Sequence, residues 1–268
     1  MQLRHLLAPG SALVLMATAF APAAAAATSA AVAGPAVHAA TVNAPMHHVS
    51  GQHGSVPFFI SHGGGVKHAT STSDNWSGYA ANGSTYTSVS TTFVQPSVDC
   101  SQGDGYSSFW VGLDGYSSSS VEQTGTEADC SGGQASYSAW YEMYPANPVT
   151  YSNTVQPGDT ITETVKYASG AYTLTLKDST EGWTKTVTKK ESGLARSSAE
   201  VIAEAPYSGG VLPLDDFGTV NFSNSTVNGS NLASTNPTGI NMVSDSGTPE
   251  ATISSLNGGA FSITWNSL

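Results

Sequence analysis

Two carboxylates share the short run Ala199-Glu200-Val201-Ile202-Ala203-Glu204-Ala205-Pro206. All seven histidines (His5, His38, His47, His48, His53, His62, His68) lie in the first 68 residues. Chemistry in the remaining chain therefore has no imidazole, which excludes Ser-His-Asp and Cys-His arrangements and the usual histidine zinc sites. Two cysteines cannot make a four-thiolate site, and the glycines follow neither P-loop nor dinucleotide spacing. What survives is carboxylate chemistry or simple binding, and an unassisted carboxylate is the natural base.

The elements that must position such a carboxylate are strands. Charged residues make up only 10% of the 268 positions, and no sustained 3.6-residue apolar stripe appears. Short alternating segments run Trp76 to Ala81, Tyr86 to Val94, Ser107 to Leu113, Ser136 to Tyr144, Thr160 to Tyr167, Tyr172 to Lys177, Thr184 to Thr188, Glu200 to Ala205, Thr219 to Phe222 and Phe261 to Trp265. Turns at Ala168-Ser169-Gly170 and at Asp178 to Gly182 make Thr160 to Thr188 a meander. This spacing predicts an all-β chain, an antiparallel β-sandwich of two packed sheets of the concanavalin-like or jelly-roll type. Strict alternation puts Glu200 and Glu204 on one strand face but about 13 Å apart, too far to act on the same atom. Glu200 is read as structural or as part of a rim.

The front of the chain reads differently. Residues 1–27 have the form of a signal peptide: Arg4, a largely apolar Ser11 to Phe20, then small residues to Ala27. That apolar run is too short for a membrane anchor. Residues 28–70, rich in Ala, Gly, Pro and His and containing Gly63-Gly64-Gly65, read as a pro-segment with a flexible link. Residues 71–268 form the expected globular domain. Beyond Arg4 and Lys67 the chain carries six basic against nineteen acidic residues, which argues against nucleic-acid binding and suits a protein that works in acid. Export favours a Cys100–Cys130 disulfide over metal binding.

Five blocks then occur in order: Trp110-Val111-Gly112-Leu113-Asp114-Gly115, Gln123-Thr124-Gly125, Trp140-Tyr141-Glu142-Met143-Tyr144-Pro145, Ala199-Glu200-Val201-Ile202-Ala203-Glu204 and Asp216-Phe217-Gly218-Thr219-Val220. Together with Asn75-Trp76-Ser77-Gly78 and Phe93-Val94-Gln95-Pro96, this order resembles the glutamic peptidases, the eqolisins of family G1. The resemblance spans about Asn75 to Val220. It implies a secreted β-sandwich endopeptidase active in acid, made as a pre-pro-protein, with no cofactor and no metal. The catalytic pair falls on Gln123 and Glu204, and Trp110, Asp114, Glu142, Tyr141 and Glu127 become cleft or supporting residues. Polypeptide substrates and the chain's own pro-segment are the expected partners, without nucleic acid or membrane, and a monomer is expected. The chain departs from the family pattern at Val201 and Met143, where Trp is usual, and at Glu127, where Asp is usual; the interval from Trp110 to Gln123 is one residue short.

Two other functions fit the composition. A secreted carbohydrate-binding module would use Trp140, Tyr141 and Tyr144 as exposed platforms, and a glycoside hydrolase would pair Glu142 with Glu204 and leave Gln123 idle. The six histidines between residues 28 and 70, opposite an acidic domain, give the pro-segment a means of sensing pH. Replacing these six with Gln is expected to shift the pH dependence of maturation, followed by gel mobility of the secreted protein. An unchanged dependence would remove that role.

Overall fold

A computed structural model describes residues 53–54 and 70–267. Residues 1–27, read above as a signal peptide, and most of residues 28–70, read as a pro-segment, lie outside the described residues. The strands are β1 (His53–Gly54), β2 (Thr70–Ser73), β3 (Trp76–Asn82), β4 (Ser88–Val94), β5 (Gly105–Leu113), β6 (Val121–Ser131), β7 (Gln134–Tyr144), β8 (Val149–Thr150) and β9 (Thr160–Ala168). They continue as β10 (Ala171–Asp178), β11 (Trp183–Lys189), β12 (Ser198–Glu204), β13 (Thr219–Val227), β14 (Ser230–Asn231), β15 (Thr238–Val243), β16 (Pro249–Ile253) and β17 (Phe261–Trp265). The helical pieces among the described residues are two 3-10 turns, Cys100–Gln102 and Leu232–Thr235.

One layer runs β8-β7-β6-β5-β12-β3-β15 and the other β11-β10-β9-β4-β13-β17. Strand β16 pairs with both β15 and β17, so hydrogen bonding continues from layer to layer and the sandwich is one large folded sheet. Pairing is antiparallel except between β15 and β2. The disulfide Cys100–Cys130 fastens the turn before β5 to the end of β6.

Alternation decides what each layer contributes to the core. The β9–β11 meander places Ile161, Val165, Tyr172, Leu174 and Leu176 inside and threonines outside. From the first layer Phe109, Val111, Leu113, Val201 and Ala203 meet them, and Phe93 lies 6.0 Å from Phe109, ring centre to ring centre. Each large side chain buried here contributes roughly 2 kcal/mol. Strand β12 breaks the alternation: all seven residues are buried. Its second face is covered too, by a separate cluster of Trp76, Ala80, Trp110, Val121, Trp140, Ile202 and Ile240.

The sequence reading finds ten of the strands, with ends displaced by at most five residues, and it misses β6, β15 and β16 together with the short β1, β2, β8 and β14. Strand β6 reads Val-Glu-Gln-Thr-Gly-Thr-Glu-Ala-Asp-Cys-Ser, polar on both faces, and hydrophobic alternation has nothing to register there. Glu200 is fully buried, which corrects its reading as a rim residue.

Carboxyl groups are buried in unusual number. Desolvation, the largest cause for each, lifts Glu122 to about 8, Asp129 to about 8 and Asp215 to about 7, and raises Glu127, Glu163 and Glu200 well above the ordinary carboxyl range. A raised carboxyl is protonated in the folded chain at pH values where the unfolded chain has released its proton. Folding therefore takes up protons above about pH 4, and the stability present in acid is lost as pH rises toward 8. Thermal unfolding followed by circular dichroism is expected to give a melting temperature at pH 4 higher than at pH 7.5 by roughly 10 °C or more. Equal values, or a higher one at pH 7.5, would contradict this account.

Candidate active site

Strand β5 forms the middle of the site, with β6 on one side and β12 on the other. Residues directly opposite one another share a face, so the register defines three rows. One row runs Glu142, Gln123, Gly112, Glu200. The next runs Trp140, Gly125, Trp110, Ile202, and the third runs Ser138, Glu127, Ser108, Glu204, Trp76. All three lie on the face turned away from the inter-sheet core.

Glycine makes the middle row possible. A Cβ at Gly125 would stand 2.5 Å from both Phe109 O and Trp110 Cβ, so the Gly of Gln-Thr-Gly is required by the close packing of β5. Trp110 lies edge-on to Trp76, with ring centres 4.9 Å apart. The end of its six-membered ring lies toward Gly112, where an added Cβ would come 2.8 Å from Trp110 Cζ3. Its indole nitrogen reaches the other way and donates to Glu204 Oε2 at 2.8 Å.

The second oxygen of Glu204 accepts from Asn75 Nδ2 at 3.2 Å. Asn75 is itself held: its Oδ1 accepts from Ser73 Oγ at 3.0 Å, and its carbonyl accepts from Ala205 N at 2.9 Å. Sequence reasoning noticed Asn75 only as part of an opening block, because its role depends on a partner 129 residues away. Two neutral donors aimed at one carboxyl complement its ionised form. Across the sheet, Gln123 Nε2 donates to Glu142 Oε2 at 2.9 Å, which orients the carboxamide. Asn75, Gln123, Glu142 and Glu204 are all fully buried.

The rows alone would pair Gln123 with Glu200, and the charges acting on each group say otherwise. Glu127 is raised first by burial and then by Asp129, Glu204, Asp215 and Glu142. Glu204 and Glu142, the latter hydrogen-bonded to Gln123, thus act on a common neighbour. Glu200 is raised by burial and by Asp114 and Glu122, while the Ser198 hydroxyl and the Tyr116 amide pull it down. Neither Glu200 oxygen is in hydrogen-bond geometry with a protein donor, so those two groups approach without closing a bond. Glu200 belongs with Asp114 and Glu122 at the other end of the strand.

Two residues of the expected cleft-or-supporting set, Tyr141 and Asp114, lie away from the Glu204 face. Tyr141 and Met143 alternate with Glu142 and turn to the inter-sheet side of β7, Tyr141 with its ring 5.7 Å from that of Tyr151. Neither lies on the Glu204 face, so of the two roles expected for Tyr141, cleft or supporting, its core-side place fits the supporting one. Asp114, at φ 71°, accepts from Arg196 N at 2.6 Å and from Ser197 N at 2.8 Å. It ties the end of β5 to the approach to β12 and supports the site from outside it. Trp140 is 2% exposed and Tyr141 faces the other way, so the two cannot form one sugar platform.

A β-sandwich with a carboxylate and an oriented carboxamide on one buried face, and neither histidine nor thiol among them, is the frame of a hydrolase that works through carboxyl chemistry. The sequence profile of the Peptidase A4 family matches residues 74–265, and the chain belongs to that family. Aspergillopepsin-2 of Aspergillus niger is 30% identical over 221 residues, 72% of this chain and 78% of its own length. Scytalido-glutamic peptidase, solved with a transition-state analogue inhibitor, superposes with a TM-score of 0.64 at 27% identity, covering 72% of this chain and 98% of that one. Aspergilloglutamic peptidase from Aspergillus niger superposes with a TM-score of 0.55 at 31% identity, over 60% and 99% of the two chains. The protein is accordingly a peptide hydrolase with the glutamic peptidase β-sandwich.

Trp110→Phe retains a ring against Trp76 and deletes the donor to Glu204. A hydrogen bond to a charged group contributes about 1.5–3 kcal/mol. Urea denaturation at pH 4 is expected to show a loss of that size, and one below about 0.5 kcal/mol would mean that the bond does not hold the carboxylate.

Proposed function

We propose that the protein is a secreted endopeptidase working in acid, with Glu204 as the general base and acid and Gln123 as its partner. The observation that carries this reading is that Asn75 and Trp110 fix Glu204 while Glu142 fixes Gln123, on one face of one sheet. An ionised Glu204 takes a proton from a water molecule as the oxygen of that water bonds to the scissile carbonyl carbon. The Gln123 amide donates to the carbonyl oxygen on which negative charge builds. Glu204 then passes the same proton to the amide nitrogen as the C–N bond breaks. Hydroxyl has gone to carbon and hydrogen to nitrogen, with no covalent enzyme intermediate and no step assigned to a metal.

Secretion is supported by the signal-like first 27 residues and by the disulfide. Acid activity is supported by the buried carboxyls, which keep their protons there, and by the two donors that complement the charged form of Glu204. Residues 28–70 are read as a pro-segment that partners the domain before maturation.

Digestion of an acid-denatured protein at pH 3 to 4 tests the assignment. Glu204→Gln and Gln123→Ala are each expected to lose turnover by about a hundredfold or more, the scale of one preorganised oxyanion donor. Glu200→Gln is expected to retain most of it. Cleavage by Glu204→Gln at the wild-type rate would remove the mechanism, and loss in Glu200→Gln alone would move the base to that residue.

A further inference from the structure

Glu127 is the one ionisable group of the third row that the proposed mechanism leaves without a part. It stands opposite Ser108, which in turn stands opposite Glu204, so the two glutamates flank one small residue on the same sheet face. Across two strands their Cα atoms are about 10 Å apart, within reach of two glutamate side chains leaning over a serine. Glu127 is 3% exposed and Glu204 is fully buried, so little water screens one from the other. We propose that Glu127 is a positioning residue for catalysis, holding a proton beside Glu204 so that Glu204 is the ionised member of the pair wherever the enzyme is active. This inference rests on the assignment of Glu204 as the base.

The groups facing Glu127 support it from every packed element. On its own strand Asp129 follows two residues later; β12 brings Glu204, β7 brings Glu142 and Ser138, the segment after β12 brings Asp215, and β5 brings Ser108. The largest influences on it are burial and other carboxyl groups. Burial, then Asp129, Glu204, Asp215 and Glu142 all push in one direction, toward the neutral acid. Two carboxyls this close, away from water, release their protons in separate steps, and the one that Asn75 and Trp110 address goes first.

The consequence concerns one limb of the pH profile. As pH rises, Glu127 gives up its proton and sets a second negative charge beside Glu204, where charge must also build on the substrate oxygen, and turnover falls. In acid Glu127 is already neutral, so the lower limb belongs to Glu204 alone. Glu127→Gln is neutral at every pH. It is expected to leave the lower limb in place and move the upper limb to higher pH by at least one unit, with circular dichroism at each pH confirming the folded state. Glu127→Asp restores a titrating carboxyl and is expected to restore the upper limb. An upper limb unmoved by Glu127→Gln, or a displaced lower limb, would overturn the role.

Carbon-13 carboxyl shifts of glutamate-labelled protein read the same coupling in inactive protein. The resonance lost in Glu127→Asp is expected to titrate above the ordinary glutamate range in the wild type and to move down when Glu204→Gln removes the neighbouring charge. A titration that ignores Glu204→Gln sinks the proposal even if Glu127→Gln fails to fold. Failure of the base assignment would appear separately, as turnover surviving Glu204→Gln.

Discussion

A carboxylate buried among other carboxyls is held in place only by hydrogen-bond donors that carry no charge, and most of this structure answers to that constraint. Glu204 receives one bond from an indole and one from a carboxamide, and each donor is fixed by contacts of its own. An arginine or lysine in their place would neutralise the charge and weaken the carboxylate's hold on a proton through the acid range. Uncharged donors leave the carboxylate negative and able to accept a proton. The scarcity of basic residues, eight Lys and Arg against nineteen Asp and Glu, is in keeping with a carboxyl group held by uncharged donors.

The same constraint explains why the first sheet is buried on both faces. Its inner face packs on the second sheet through Phe109, Val111 and Val201, as any sandwich requires. Its outer face is covered by Trp76, Trp110, Trp140 and Ile202, which remove water from the acidic rows and strengthen every electrostatic interaction there. The cost is a set of raised carboxyls, at Glu122, Glu127, Asp129, Glu200 and Asp215, that are comfortable only when protonated. Acid is therefore the condition in which the fold is cheapest, and the site inherits that condition from the fold.

Particular residues show where pattern reading succeeds. The β9–β11 meander was legible because one face is apolar, the other is threonine, and glycines close the turns. Strand β6 was not, because Glu122, Gln123, Thr124, Thr126 and Glu127 are polar on both faces, and their burial is decided by what packs against them. That illegible strand carries Gln123. Tyr141 and Met143 lie off the Glu204 face for a related reason: adjacency to Glu142 in sequence means the opposite face in a strand.

By itself the sequence determined the class of chemistry, because composition is local information. An imidazole-free, acidic, strand-rich domain with its blocks in family order leaves a carboxylate as the base and a β-sandwich as its frame. Tertiary structure decided which side chains converge: Asn75 on Glu204, Glu142 on Gln123, Asp114 on the Ser197 backbone, and Glu127 near Glu204. Those relations join strands far apart in the chain, and cross-strand register, which no single segment encodes, sets them.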